Sequence, residues 1–273
     1  MQMAQVVVVT SGKGGVGKTT STAALGAALA RAGERVVVVD FDVGLRNLDL
    51  VMGAERRVVF DLIHVVQGSA RLSQALIRDK RIDTLFLLAA SQTRDKDSLS
   101  DDGVERVIRE LRPSFDWVIC DSPAGIERGA SLAMRHADLA VVVANPEVSS
   151  VRDSDRIIGL LDSTTDKAKR GEQMEKYLLL TRYDQIRAER GEMLCVDDVL
   201  EILCIPLLGI IPESKDVLHA SNMGLPVTLN NPTSAPARAY NDAARRLQGE
   251  QVPLVVPSDR ATLFSKLLGR RAA

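Results

Sequence analysis

The stretch QVVVVTSGKGGVGKTT, residues 5–20, decides how the chain is read. Gln5 to Thr10 is a β-branched run, apolar at consecutive rather than alternating positions, which suits a strand covered on both faces. Gly12 to Thr19 then matches the pattern GxxxxGK[ST], and a helical stretch from Thr19 to Ala32 follows, ended by Gly33. This pattern carries chemistry only between a strand and a helix; elsewhere it is a glycine-rich turn. Glycines let the backbone curl so that successive N–H groups face inward, where they and the helix N-terminus bind polyphosphate. Gly12, Lys13, Gly14, Gly15, Val16, Gly17, Lys18, Thr19 and Thr20 are therefore the expected nucleotide contacts, with Lys18 on the β- and γ-phosphates and Thr19 on Mg²⁺.

Working outward, similar runs recur at Arg35 to Asp40, Thr84 to Ala89, Asp116 to Asp121, Asp138 to Ala144, Tyr177 to Thr181 and Pro206 to Ile211. Helical stretches lie between them at Asp101 to Leu111, Val151 to Leu161 and Ala235 to Leu247. Alternation of this kind predicts an α/β fold, a doubly wound, mainly parallel sheet with helices on both faces. Ligands of such sheets gather at the carboxyl ends of the strands. Asp40 and Asp42 at the end of the second strand, and Asp121 at the end of WVICD, are therefore expected to converge on the loop. Helix capping or a solvated strand end is the plainer account of Asp40 and Asp42.

The unusual loop residue is Lys13, which gives the form KGGxGK[ST]. A lysine at the start of the loop is badly placed to fold back on its own nucleotide, but it can reach phosphates held by a facing subunit. With this deviant Walker A loop the sequence resembles the ParA/MinD family of dimeric ATPases. The resemblance implies a P-loop NTPase of the SIMIBI type, ATP and Mg²⁺ as cofactors, an ATP-dependent homodimer, and slow, partner-stimulated ATP hydrolysis. It implies that Lys13 acts in trans and that Asp121 binds Mg²⁺ through water. It also implies that Asp40 lies near the metal's hydration shell and that Asp42 orients the attacking water, making Lys13, Lys18 and Asp42 the catalytic set. DVGLRNLDLVMG and DSPAGIERGA resemble the family's two switches. Thr181, Arg182 and Pro212 fall where the family binds adenine, although a helix cap and a turn suit them equally.

The resemblance runs through ASQTRDKDSL and LLLTRY to the C-terminus, and within the family it points to the MinD branch. That branch implies division-septum placement, with the inhibitor MinC recruited and MinE stimulating hydrolysis. A ParA-type DNA segregation ATPase is the rival of a different class. A flagellar-number regulator of the FlhG type is another, although its usual N-terminal extension is not supplied by the five residues before Val6. Iron–sulfur relatives need paired cysteines, which Cys120, Cys195 and Cys204 do not offer; free thiols in a reducing cytosol are expected instead. His64, His136 and His219 are isolated, and no chemistry is assigned to them.

Over 273 residues, 35 Lys+Arg oppose 36 Asp+Glu, a net charge of −1 that lacks the basic surplus of a nucleic-acid coat. No apolar run reaches the ~18 residues that span a bilayer, and the N-terminus lacks a signal-like n-region, so neither an integral nor a secreted protein is expected. The distribution is more telling than the total. Residues 260–273 hold four basic residues and no acid, leaving 31 basic against 36 acidic in the rest, a balance of −5.

The expected organisation is an ATPase domain over 1–248, a proline-bounded linker over 249–257 and an amphipathic helix over 258–273. In that helix Ser258 is the cap, Leu263, Phe264, Leu267 and Leu268 form one apolar face, and Lys266, Arg270 and Arg271 flank it, as in an interfacial membrane helix. Docking of the leucines on the protein's own core is the competing account. An anionic membrane is the expected partner, which places the protein in the bacterial cytoplasm and on the inner face of the membrane, without nucleic acid. A single tail this short binds weakly. Two tails joined in an ATP-bound dimer gain ~10²-fold or more by avidity.

Overall fold

The computed structural model describes residues 3–92 and 98–256. The tail read over 258–273, with Leu263, Phe264, Lys266, Leu267, Leu268, Arg270 and Arg271, lies outside them, as do residues 93–97 of ASQTRDKDSL.

The strands are β1 (Gln5–Thr10), β2 (Val36–Asp40), β3 (Ile77–Arg78), β4 (Leu85–Leu88), β5 (Trp117–Asp121), β6 (Leu139–Ala144), β7 (Glu175–Tyr183) and β8 (Leu207–Pro212). They make one sheet in the order β3-β4-β2-β5-β1-β6-β7-β8. Every neighbouring pair is parallel except β3 with β4. The consecutive valines of β1 show why the run does not alternate in polarity: Val6 and Val8 enter one core, Val7 and Val9 the other.

The helices, in chain order, are α1 (Lys18–Arg31), α2 (Leu48–Val51), α3 (Leu62–Val66), α4 (Leu72–Ala75), α5 (Asp101–Leu111), α6 (Arg128–Arg135) and α7 (Val148–Thr164). After these come α8 (Asp166–Lys169), α9 (Gln185–Glu189), α10 (Val196–Leu203), α11 (Lys215–Asn222), α12 (Val227–Asn230) and α13 (Ala235–Leu247). Residues of α3, α5, α6, α7 and α10 fill the core on the Val6 face. Those of α1, α11, α12 and α13 fill the other.

The strand runs read from the sequence agree with these elements to within one or two residues. The helix expected over Val151 to Leu161 extends at both ends, and β3 and the short helices α2–α4, α6 and α8–α12 were not foreseen. Four- and five-residue helices such as α2 and α3 are too short to display a 3.6-residue period. The eight-residue α10 was legible in principle, because Val196, Val199 and Leu203 are its buried positions.

Helix α1 leads directly out of the glycine loop and is buried along Ser21 to Ala30. Its alanines and Gly26 allow a close approach to the sheet: a β-carbon at Gly26 would sit 2.7 Å from Val38 Cγ1. The far side is tied by polar bonds, with Ser21 Oγ 3.0 Å from the Tyr240 hydroxyl and Arg31 donating to the Thr228 carbonyl at 2.9 Å. The start of α1, and therefore the loop, is held rigidly against the strand ends.

Gly26→Leu is expected to overpack this contact. A lower urea midpoint, by about 1–3 kcal/mol of stability, should result, and an unchanged midpoint would show that α1 does not press on β2.

Candidate active site

The loop between β1 and α1 takes its shape from glycine. Gly15 and Gly17 have φ of 76° and 100°, the left-handed region that side chains disfavour. Gly12 is required for a different reason, since a β-carbon there would collide with the backbone carbonyl of Asp153 in α7. Lys18 opens α1 and turns back beneath the loop, where Nζ donates to Ser11 Oγ at 2.9 Å and that hydroxyl donates to the Lys13 carbonyl at 2.7 Å. Burial lowers the Lys18 ammonium below its ordinary pKa, while Asp121 and Asp42 pull it upward.

Asp40 and Asp121 stand opposite one another at the ends of β2 and β5. Both are essentially fully buried. Burial, then the neighbouring Asp121 charge, hold the Asp40 carboxyl well above the usual carboxylate range. Its Oδ1 accepts from the Asp42 N–H at 2.8 Å and its Oδ2 from the Leu48 N–H at 3.2 Å, so Asp40 also organises the loop that carries Asp42. Burial pushes Asp121 up to about 6, against hydrogen bonds from Thr19 and Thr22 and the charge of Lys18. The Thr22 hydroxyl donates to Asp121 Oδ1 at 3.1 Å. Thr19, Lys18 and Asp121 are thus brought together, with Asp42 close enough to influence the charge of both Lys18 and Asp121.

Lys13 is separate from this group. Its Nζ donates to Glu147 Oε2 at 2.8 Å and to Ser149 Oγ at 3.1 Å, at the start of α7. The Lys13 and Glu147 side chains are 40% and 54% exposed, so the pair is worth about 0–1 kcal/mol and is readily exchanged for a stronger anion. Glu147 and Ser149 were not among the residues singled out from sequence, and the signal was faint: a carboxylate shortly after an apolar strand.

Beside the loop lies a cavity of about 600 Å³. Val16, Gly17, Thr20, Arg182 and Pro212, all read from the sequence as nucleotide contacts, line it, and so do Lys215 and Leu218 of α11, which were not anticipated. Thr181 also lines the cavity, but its hydroxyl donates to the Val16 carbonyl at 2.7 Å, which braces the loop. Arg182 has a φ of 54°, an uncommon left-handed conformation for a non-glycine residue. Ser11 and Thr22, which anchor Lys18 and Asp121, were likewise missed, because small hydroxyl residues near a glycine loop carry no distinguishing pattern of their own.

The residues fit a magnesium-bound nucleoside triphosphate. Buried carboxylates above their normal pKa call for a cation, the loop presents backbone donors and a lysine to phosphate, and the adjoining cavity has room for a base. The fold and this cluster define the class: a P-loop nucleoside triphosphatase with a second lysine in its loop.

A family model described as the CobQ/CobB/MinD/ParA nucleotide binding domain matches residues 7–227. The chain is 55% identical over 271 residues to the septum site-determining protein MinD of Neisseria meningitidis serogroup B, an alignment covering 98% of this chain and 100% of that protein. Among solved structures, it resembles the MinC:MinD cell division protein complex of Aquifex aeolicus, with 40% identity, a TM-score of 0.84, and 93% of this chain and 100% of that one covered. It also resembles MinD complexed with Mg-ADP from Pyrococcus horikoshii, with 30% identity, a TM-score of 0.79 and coverage of 90% and 96%. The chain belongs to the CobQ/CobB/MinD/ParA family and, within it, to the MinD branch of septum site-determining ATPases. Full-length similarity at this level does not favour the DNA-segregation or flagellar-number alternatives.

The Asp121 shift has a consequence for stability. The folded chain keeps this proton until about pH 6, whereas an unfolded aspartate releases it near 4. Ionisation therefore costs the nucleotide-free fold a penalty that grows as pH rises from about 4 to 6 and is complete above it. Asp121→Asn is expected to stabilise the nucleotide-free protein at pH 7.5 by about 1–3 kcal/mol, with the gain shrinking as pH falls toward about 4. Urea titrations across that range would read it; a pH-independent difference would remove Asp121 as the titrating group.

Proposed function

We propose that the chain is an ATPase of division-site placement that dimerises around ATP, binds the membrane in that state and is released on hydrolysis. The observation carrying this reading is the separation of the two loop lysines: Lys18 is buried beneath the loop on Ser11, and Lys13 is turned outward onto Glu147.

In this reading the backbone N–H groups of Gly12 to Thr19 donate to the phosphates, and Lys18 neutralises the β- and γ-phosphate charge. The Thr19 hydroxyl and Asp121 would hold Mg²⁺, Asp121 through water, with Asp40 close behind them. Bound Mg²⁺ would supply charge neutralisation at the phosphates. Asp42 orients the attacking water, and Lys13 leaves its weak surface pair to meet phosphate held by a second copy, completing that copy's site. Phosphoryl transfer needs chiefly positioning and charge stabilisation, so these groups suffice for a slow reaction. Thr20, Thr181, Arg182 and Pro212 border the adenine.

Membrane attachment is assigned to residues 258–273, an ATPase domain to 1–248 and a connecting segment to 249–257. No helix among the described residues is long and apolar enough to cross a membrane, and attachment by the tail is peripheral. Upper-bound burial of its four large apolar side chains, ~6–12 kcal/mol, is offset by ordering about ten residues at ~1–2 kcal/mol each. With about 1 kcal/mol added for each basic residue near anionic lipid, one tail attaches weakly and reversibly at best, and a dimer strengthens the attachment by avidity. MinC is proposed as a partner on the strength of the MinC:MinD complex of Aquifex aeolicus, and MinE by membership of the branch.

Lys18→Ala is expected to abolish productive Mg-ATP binding, and Lys13→Ala to lose ATP-driven dimerisation or hydrolysis. Asp42→Ala should bind ATP and dimerise yet hydrolyse poorly; a normal turnover rate in that variant would take Asp42 out of the mechanism.

Sedimentation with phosphatidylglycerol vesicles in ATP, a non-hydrolysable analogue and ADP, beside a DNA-retention assay, tests the membrane step. Vesicle binding with ATP and the analogue, lost when residues 260–273 are removed while basal ATPase persists, is the expected result. DNA retention without vesicle binding would overturn it.

A further inference from the structure

Between α13 and the tail, residues 251–256 form neither helix nor strand, yet they are fastened to the body. Arg246 of α13 donates from Nε to the Val252 carbonyl at 2.9 Å, from Nη2 to the Pro253 carbonyl at 2.7 Å, and from Nη1 to the Leu208 carbonyl of β8 at 2.7 Å. One guanidinium thus joins the strip to the last strand of the sheet order. Immediately after this clamp come three consecutive apolar residues exposed to solvent: Leu254 at 48%, Val255 at 70% and Val256 at 44%. Leu254 and Val255 roof a cavity of about 210 Å³ against α13 and β8 rather than filling the core.

A tether that only spans distance is built from polar and small residues. Three adjacent exposed aliphatic residues call for a covering partner, and the position of these three identifies one, because they lead directly into Ser258 and the apolar-faced tail. The backbone flanking these three residues is partly prepared for such a setting. Pro253 and Pro257 carry no N–H to desolvate, and Arg246 already satisfies the carbonyls of Val252 and Pro253. Two acids beside the strip share one basic partner: Arg245 lies 3.7 Å from Asp242 and 2.7 Å from Glu250.

We propose that the lipid-binding surface begins at Leu254 rather than at the tail helix, and that Arg246 fixes the direction in which the body meets the bilayer. Leu254, Val255 and Val256 enter the interfacial layer together with the tail, and the clamp at β8 and α13 transmits that contact to the ATPase body. This rests on the reading of residues 258–273 as the membrane element.

The test uses full-length protein carrying Val255→Trp or Phe264→Trp, with vesicles of phosphatidylglycerol and phosphatidylethanolamine containing brominated acyl chains. Trp117 is buried in β5 and supplies a constant background. Bromine quenching at both introduced tryptophans in ATP, and at neither in ADP, is expected. Quenching at 264 without quenching at 255 overturns this proposal and leaves the tail reading intact; absence at both sites overturns both.

The triple variant Leu254→Ser, Val255→Ser, Val256→Ser should keep its basal ATPase and bind the same vesicles roughly 10- to 100-fold more weakly. Unchanged vesicle affinity in that variant counts against the proposal. Arg246→Gln, combined with Val255→Trp, should lose most quenching at 255, and full retention would remove the clamp from it.

Discussion

Asp40 and Asp121 end neighbouring parallel strands, so the register of β2 and β5 presses two carboxylates together in a desolvated place. A buried carboxylate pair of this kind is costly unless a proton or a cation joins it. Lys18 supplies part of the compensation from beneath the loop, while Thr19 and Thr22 supply hydrogen bonds. Desolvation of the pair therefore favours a proton or a cation beside it. The same constraint shapes the surroundings. Asp40 spends both oxygens on the N–H groups of Asp42 and Leu48, so the strand end and the loop after it are organised by one buried side chain.

The rest of the fold serves to place that pair. The covering of the sheet by two separate cores keeps the strands rigid, and the close approach of α1 at Gly26 fixes the distance from the loop to the strand ends. Gly12 seats the other end of the loop on α7, the helix whose first turn carries Ser149 beside Glu147. A rigid site thus faces an exchangeable one: the Lys18 arrangement is buried, whereas the Lys13–Glu147 pair is half in water and weak.

Much of this was legible in the residues. The uninterrupted valines of β1 announce a strand covered on both faces, and they do so because Val6 and Val8 serve one core while Val7 and Val9 serve the other. The glycine loop carries its own pattern, and Asp121 stands out as a charge closing an apolar run. Ser11, Thr22, Glu147 and Lys215 were not legible in this way. Each acts through a contact with a residue distant in sequence or through a cavity wall, and no local periodicity marks such a role. The antiparallel edge strand β3 escaped for a related reason, since two residues, Ile77 and Arg78, cannot display a period.

By itself, the sequence determined the class of fold, the phosphate loop with its two lysines, the carboxylates at strand ends, and the contrast between a net acidic balance over residues 1–259 and a basic one over 260–273. These are properties of residue type and short-range order, where periodicity and spacing carry the information. Only the tertiary structure decided that Lys18 rests on Ser11, that Lys13 is turned to Glu147, that α11 closes the cavity beside the loop, and that Arg246 ties residues 252 and 253 to β8. Those contacts join segments far apart in the chain, and they exist because strand register and helix packing bring the segments together.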